Sequence, residues 1–544
     1  MIFLSTLLLS VLLTIALIPL LSGVALRVQL VDIPNDRKVH LRPIPRIGGF
    51  AMALGAFIPI ILWHNGDWFV RAYLAGAGIL VLFGLADDFR ELSPMIKFTG
   101  QILAALIAIF LGGVEIRSLG MLLPDNLLLP EYVAVPLTLL AIVGVTNAIN
   151  LSDGLDGLAG GISLLIFAGI GYLAYLDDNA VIGLIALALS GVIFGFLRFN
   201  THPASIFMGD AGSQFLGFSA ITLSLALTQG HPTPLSPVLP LILLGFPVLD
   251  TLTVMTTRIA HGTSPFTADK NHFHHNLMDL GFLHPESVLI IYFFQTVLLL
   301  AAVFFRFYSD WLLLSGYLIF SAMIIFGFSY AARTKRRVKR FDFFDIKIAG
   351  RLRVLKRDGT VIRPSFRIFE FGIPLLLFVT CLVTDTPPGY ISVICAVMAA
   401  LVLFFFFRRR NSLPKVLRPV LYLLIPFAVY LSDPSRVVVA GIPLERFYNG
   451  SFGVFAVLLI LVTKFSRREK GFHSTPMDFL IIILALVAPN LPDQKMQEYQ
   501  LGLTAARIIM LYFSFEVLLA ELRGKFDRIA LATVASLVAL AIRV

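Results

Sequence analysis

Long apolar runs recur from one end of the chain to the other, broken by short polar stretches that hold most of its charge. The runs are about 16–22 residues long, enough for a helix to cross roughly 30 Å of hydrocarbon. In lipid the backbone must satisfy its own hydrogen bonds, so these runs read as helices. The pattern predicts spans near residues 1–21, 47–62, 70–86, 97–112, 132–149, 158–176, 180–197, 212–229, 236–257, 287–305 and 310–331. That makes roughly eleven. The first carries no basic residues ahead of its apolar stretch and reads as a retained span rather than a cleaved signal peptide.

After Arg340 the character changes. Polar and basic residues dominate to residue 367, and the alternation of Arg351 to Arg363 around Asp358-Gly359 predicts a hairpin. About seven further apolar spans follow to Val544. The expected fold is an all-α polytopic membrane protein, with a first membrane domain over residues 1–331, a basic cytoplasmic linker over 332–367 and a membrane extension over 368–544. No chemistry-bearing cluster stands out in the extension.

Composition agrees with this. Of 544 residues, 58% are hydrophobic and only 14% charged, with a mean hydropathy of +0.88, more apolar surface than a soluble protein can hide. The net charge of +10 informs through its placement. Arg27, Arg37, Lys38, Arg42 and Arg46 follow the first span and put that loop in the cytoplasm, hence the N-terminus outside. Alternation then places residues 87–97, 150–157, 198–211 and 258–286 inside, together with the basic run 333–340. Cys381 and Cys395 lie in apolar runs and read as buried small hydrophobes, not as a disulfide or a metal site. Nothing in the pattern points to nucleic acid.

Five polar clusters fall on that one inferred face. Asp87-Asp88 ends the third span; two adjacent carboxylates at a membrane edge repel each other unless a cation or proton relieves them, and magnesium suits such a pair. A solvated helix end explains them equally simply. Lys97 and Gln101 open the next span, and Lys97 fits a phosphate-facing or a snorkelling lysine. Asn147 and Asn150 share one helix face, and Asp153 and Asp156 follow, each trailed by a glycine that allows close backbone approach. Capping explains one aspartate and one asparagine, not four polar side chains at this depth. Residues Phe199 to Ser213 form a glycine-flanked turn opening a helix, where free N–H groups suit phosphate oxygens. There Asp210 is an N-cap or a further metal-binding carboxylate, and Phe207 is packing or a base-stacking aromatic. Asp250, inside an apolar helix, is either functional or an interhelical hydrogen-bonding residue. His272-Phe-His274-His275 brings zinc to mind, but the nearby carboxylates favour a hard cation, leaving the imidazoles to diphosphate or proton transfer.

The ordered set Pro34 to His40, Pro45 to Gly49, Asp87-Asp88 with Lys97, Asn147 to Gly157, Phe207 to Asp210, Pro247 to Asp250 with Arg258, and Asp269 to His275 resembles the polyprenyl-phosphate N-acetylhexosamine-1-phosphate transferases. It is most similar to the bacterial undecaprenyl-phosphate GlcNAc-1-phosphate branch. The resemblance covers about residues 1–331 and leaves the extension unmatched. It implies transfer of a sugar 1-phosphate, most simply GlcNAc 1-phosphate, from a UDP-N-acetylhexosamine to undecaprenyl phosphate, with release of UMP and initiation of cell-surface glycan synthesis at the bacterial inner membrane. It implies magnesium, with manganese as a substitute, held by Asp210 and the Asp87-Asp88 pair, and catalytic roles for Asp87, Asp88, Asp210, His272, His274 and His275. Substrate contacts then fall to Lys38, Arg46, Lys97, Asn147, Asn150, Asp153, Asp156, Phe207 and Arg258, with Asp250 behind them. The spacing His-x-His-His is similar to this branch rather than to the muramyl-pentapeptide branch, where the histidines are consecutive. A homodimer is left open. The alternative from a different class, a cation-coupled transporter, expects carboxylates along a midplane path and repeated or broken helices, whereas most of these cluster at one face.

Overall fold

The structure, a computed structural model, describes residues 2–32, 43–64, 66–124, 127–230, 233–264, 272–334, 362–384, 389–433, 438–439, 442–465, 501–522 and 526–542. They fall into two compact units, one within Met1–Lys339 and one after it. Residues 335–361, which hold most of the hairpin expected at 351–363 and most of the linker, lie outside the described residues; residues 362–367, expected as hairpin end and linker, are instead helical.

The first unit is a helix bundle: α1 (Ile2–Arg27), α2 (Gly48–His64), α3 (Trp68–Arg90), α4 (Pro94–Phe110), α5 (Glu131–Leu151), α6 (Leu158–Leu176), α7 (Ala180–Asn200), α8 (Gly209–Gln229), α9 (Leu239–Leu243), α10 (Gly245–Ala260), α11 (Phe273–Asp279), α12 (His284–Phe304) and α13 (Asp310–Arg333). Eight of these are long and apolar enough to cross a membrane; α2 and α4 are shorter apolar helices. A two-stranded antiparallel ribbon, β1 (Val31–Asp32) with β2 (Ile44–Pro45), flanks the segment between α1 and α2.

Helix α8 is the axis. Every residue of its most apolar window is buried, and α2, α3, α5, α6 and α9 pack on it. Between apolar helices surrounded by lipid there is little hydrophobic drive to associate, so small residues that let backbones approach carry the packing. Gly84 on α3 lies against the Ala211 backbone, Gly49 on α2 against Gly212, and Gly217 against Thr146 of α5. Three hydroxyls of α8 return to their own helix: Ser219 donates to Phe215 O (2.7 Å), Ser224 to Ala220 O (2.7 Å) and Thr228 to Ser224 O (3.0 Å). These three hydroxyls are satisfied without water, whereas the buried Thr222 hydroxyl has no partner among the described residues.

One expected span is corrected. The run 236–257 is not a single helix but α9 and α10, interrupted at Leu244. The cause is Pro247, which has no N–H to give to the carbonyl four residues back. That carbonyl, Leu243 O, instead accepts the Gln295 amide at 2.7 Å, and Gly245 O accepts the Tyr317 hydroxyl at 2.9 Å. The seven-residue helix α11, which follows α10 after an undescribed stretch, is a second element the hydropathy pattern did not expect.

In the second unit α14 (Ile362–Leu382), α15 (Gly389–Arg408), α16 (Leu413–Leu431), α17 (Leu444–Phe465), α18 (Leu501–Glu521) and α19 (Asp527–Ile542) surround a core of Phe369, Ile373, Leu377, Leu417, Leu421 and Leu518. A short ribbon, β3 (Val438–Val439) with β4 (Ile442–Pro443), precedes α17. Six helices are described against about seven expected spans, and residues 466–500 lie outside the described residues. Cys381 and Cys395 are free and buried. Some polar groups inside this unit pair with one another: Tyr422 Oη donates to Glu516 Oε1 at 2.7 Å, and Arg507 to Asn449 Oδ1 at 2.5 Å.

Candidate functional site

Alternating helices bring the C-terminal ends of α3, α5, α7 and α10 to the same end of the bundle as the N-terminal ends of α2, α4, α6, α8 and α12. At the meeting of α3, α4 and α8, the Asp87 backbone carbonyl accepts the N–H of Glu91, and its Oδ1 accepts the Leu92 N–H at 2.6 Å, so Asp87 closes its own helix. Its Oδ2 lies 2.6 Å from Lys97 Nζ. The same ammonium lies 3.2 Å from Asp210 Oδ2. Lys97 sits in the first turn of α4, where a helix dipole disfavours a cation; the two carboxylates hold it there.

Asp88 behaves differently from its neighbour. Its two oxygens accept the N–H groups of Asp210 (3.1 Å) and Ala211 (3.3 Å), so it caps the N-terminus of α8 from another helix. Gly209 makes this possible: its φ is +68°, and a Cβ there would collide with the Asp88 carboxylate. Two oxygens from α3 and α8 thus converge on one cation, with a third carboxylate locked beside them. The donors are all oxygen, and a hard, octahedral dication such as magnesium fits them; Asp87 and Asp210 are the residues that would hold it.

The α5–α6 loop forms the second wall. Asn147 and Gln101 exchange amide hydrogen bonds (2.7 and 3.2 Å), and Gln101 continues to Gln214 at 3.3 Å, a ladder tying α4, α5 and α8 together. Asn150 Oδ1 accepts the Ser213 hydroxyl at 2.6 Å. Asp153 lies in the field of Asp210 and Asp156; burial first, then those two carboxylates, push its carboxyl up to about 7. Asp156 goes the other way. Burial alone would raise it, but His202 Nδ1 (2.9 Å) and the Ala204 N–H (3.0 Å) on its Oδ2 outweigh that and hold it below the usual carboxylate range.

The histidine segment closes over this loop. His274 lies on the Gly154 backbone, where a Cβ would meet its imidazole. Burial, then repulsion from His275, His272 and His284, lowers the His274 imidazole to about 3, so it is neutral and offers a phosphate no charge. Asp250 is fully engaged: Oδ2 bonds His272 Nδ1 at 3.0 Å and Oδ1 accepts the Phe273 N–H at 2.9 Å, which anchors α11 to α10. Arg258 is buried near the end of α10. Arg46 pairs with Asp32 and bridges to Phe207, whose carbonyl accepts the Gly48 N–H at 3.0 Å. Phe207 itself stays half exposed. Lys38, with residues 33–42 around it, and Asp269 to Asn271 lie outside the described residues.

Four residues of this region were not singled out from sequence. Asn200 accepts the Gly157 N–H (2.9 Å) and donates to Ile206 O (2.9 Å); Tyr292 donates to Gly157 O (2.6 Å). His284 Nε2 accepts the Asp156 N–H at 3.1 Å, and its ring stacks on His202 at 4.3 Å. The Phe199–Ser213 run gave a signal for Asn200 and His202; for His284 and Tyr292 there was none.

The family model described as glycosyl transferase family 4 matches residues 70–228, which hold Asp87, Asp88, Lys97, the α5–α6 loop and Asp210. The chain is 37% identical over 318 residues to the probable undecaprenyl-phosphate N-acetylglucosaminyl 1-phosphate transferase of Bacillus subtilis (strain 168), covering 58% of this chain and 87% of that protein. It is 33% identical over 328 residues to the undecaprenyl-phosphate alpha-N-acetylglucosaminyl 1-phosphate transferase of Yersinia pestis (58% and 89% covered). To the protein so named in Escherichia coli (strain K12) it is 32% identical over 333 residues (58% and 90% covered).

Proposed function

The chain belongs to glycosyl transferase family 4, and from that premise we propose that it transfers GlcNAc 1-phosphate from UDP-GlcNAc to undecaprenyl phosphate. The products are a polyprenyl-diphosphate-linked sugar and UMP, and the step initiates a cell-surface glycan. The observation that carries this is the convergence of Asp87 and Asp210 on Lys97, with Asp88 and Asp153 beside them, at one end of a helix bundle.

Phosphoryl transfer between two anions demands positioning and charge neutralisation more than covalent chemistry. Magnesium, when bound at Asp87 and Asp210, supplies charge to the diphosphate and to the departing UMP. Lys97 adds a second cation within reach of the same oxygens. The half-exposed Phe207, two residues ahead of α8, offers a face on which a base can stack beside the Asp88-capped start of that helix. The polyprenyl phosphate is ionised near neutral pH and attacks directly. Asp88 is less well placed to do so in its stead, because each of its oxygens already accepts an N–H group of α8 and attack through either would weaken that cap. That supports a single displacement over an aspartyl-phosphate intermediate.

The protein is multi-pass, with ten described helices long and apolar enough to span a membrane. We place the site on the cytoplasmic face of the bacterial inner membrane and the N-terminus outside, on the arginine and lysine bias of the alternate loops. The second unit would act as an accessory membrane domain, binding lipid or passing on product. The test is UMP exchange into radiolabelled UDP-GlcNAc by purified protein with magnesium and undecaprenyl phosphate, run against UDP-GalNAc. Exchange that depends on the lipid phosphate supports the assignment; none with either sugar nucleotide overturns it.

A further inference from the structure

Asp156, His202 and His284 come from the α5–α6 loop, the α7–α8 connection and the first residue of α12, yet their ligand atoms all lie within 4.8 Å of one another. His202 Nδ1 is 2.9 Å from Asp156 Oδ2, and the two imidazoles stack with 25° between their planes. The proposed transfer gives His202 and His284 no part, and Asp156 enters it only as a substrate contact expected from the family resemblance. Magnesium binds oxygen and suits Asp87 and Asp210, whereas two imidazoles and one carboxylate form a borderline donor set of the kind that binds zinc, with the fourth position open. An aspartate–histidine pair accounts for Asp156 and His202, and His284 Nε2 accepts the Asp156 N–H, which leaves the other nitrogen of His284 to be explained. His284 Nδ1 is buried and makes no hydrogen bond among the described residues, an orphan polar atom of the kind that calls for a missing partner.

We infer that Asp156, His202 and His284 form a site for a zinc-type dication, separate from the oxygen-lined cluster around Lys97. Its donors lie on the α5–α6 loop that carries Asp153, on the α7–α8 connection and on the start of α12, which here meet through hydrogen bonds and a ring stack. Binding there ties those connections together and raises resistance to unfolding without adding to the magnesium requirement.

Full-length protein, stripped with chelator and saturated with magnesium, is given a few equivalents of zinc and desalted, and zinc per chain is measured by elemental analysis. The wild type is expected to retain about one zinc, His202→Gln and His284→Gln to fall to background, and His275→Gln to keep wild-type content. Zinc-edge X-ray absorption on the wild type is expected to report two imidazoles with oxygen neighbours. Undiminished zinc in both His202→Gln and His284→Gln overturns the site, as does an absorption spectrum lacking imidazole or an unoccupied wild type. Should His202→Gln elute as aggregate, the His284→Gln content and the wild-type spectrum decide.

Discussion

Lys97→Met keeps the aliphatic stem and removes the ammonium, and the geometry sets what should happen. Nζ lies 2.6 Å from Asp87 Oδ2 and 3.2 Å from Asp210 Oδ2. With an effective dielectric of about 20 the gross attractions are about 6 and about 5 kcal/mol. The lysine side chain is 33% exposed, and after desolvation and screening the net is about 1–3 kcal/mol. Wild-type protein must give up this interaction before a dication can take the same two oxygens. The variant has nothing to give up, so its magnesium affinity should rise by about 5- to 150-fold, the equivalent of that free energy. The assay is thermal unfolding in detergent over a magnesium titration. Lys97→Met should unfold at a lower temperature than wild type without magnesium and show a larger upward shift with it. Turnover should fall all the same, since the diphosphate loses a cation. A magnesium shift equal to or smaller than that of wild type would refute the shared-oxygen geometry.

Asp210→Asn and Asp88→Asn should each abolish turnover in protein that still elutes as folded; activity near wild type with excess magnesium removes that aspartate from the mechanism. Gly209→Ala should cost about 1–2 kcal/mol for its left-handed backbone and, by pushing the Asp88 carboxylate aside, should also reduce turnover; unchanged melting and turnover together would contradict the cap. Burial and the neighbouring carboxylates push the Asp153 carboxyl up to about 7, from an ordinary value of 3.8. Folding therefore favours its protonated form, and stability should decline as pH rises from about 4 to about 7 in the absence of dication. Asp153→Asn should flatten that part of the melting profile, and an unaltered slope would assign the decline to other groups. Truncation after residue 340 should leave basal transfer, whereas complete loss in well-folded truncated protein would make the second unit part of the catalytic body.

The gathering of the site at one end of the bundle was legible in the sequence because a span has a fixed length. Each helix crosses from one face to the other, so the order of the spans alone puts the ends of α3, α5 and α7 beside the starts of α4, α6 and α8. Side-chain roles obey no such parity. Asp87 and Asp88 are adjacent and chemically identical, yet one faces Lys97 and the other caps a helix 122 positions away, a difference set by about 100° of rotation per residue on α3 and by where α8 begins. Asp250 and Asn147 divide in the same way. The composition marks both as polar groups out of place in lipid, but their partners, His272 and Gln101, are chosen by neighbouring elements. The break at Pro247 was visible as a proline and not as a break, because a proline in a span is tolerated whenever a neighbour satisfies the freed carbonyl, here Gln295 of α12. His284 opens an apolar helix at the edge of a span, and it gains meaning only when the α5–α6 loop folds onto it. What hydropathy and charge carry is the depth and end at which a residue sits. Which of several carboxylates at that end remains free to bind is decided by the backbone N–H groups of other helices, and Asp87 and Asp210 stay available because Asp88 has taken those of α8.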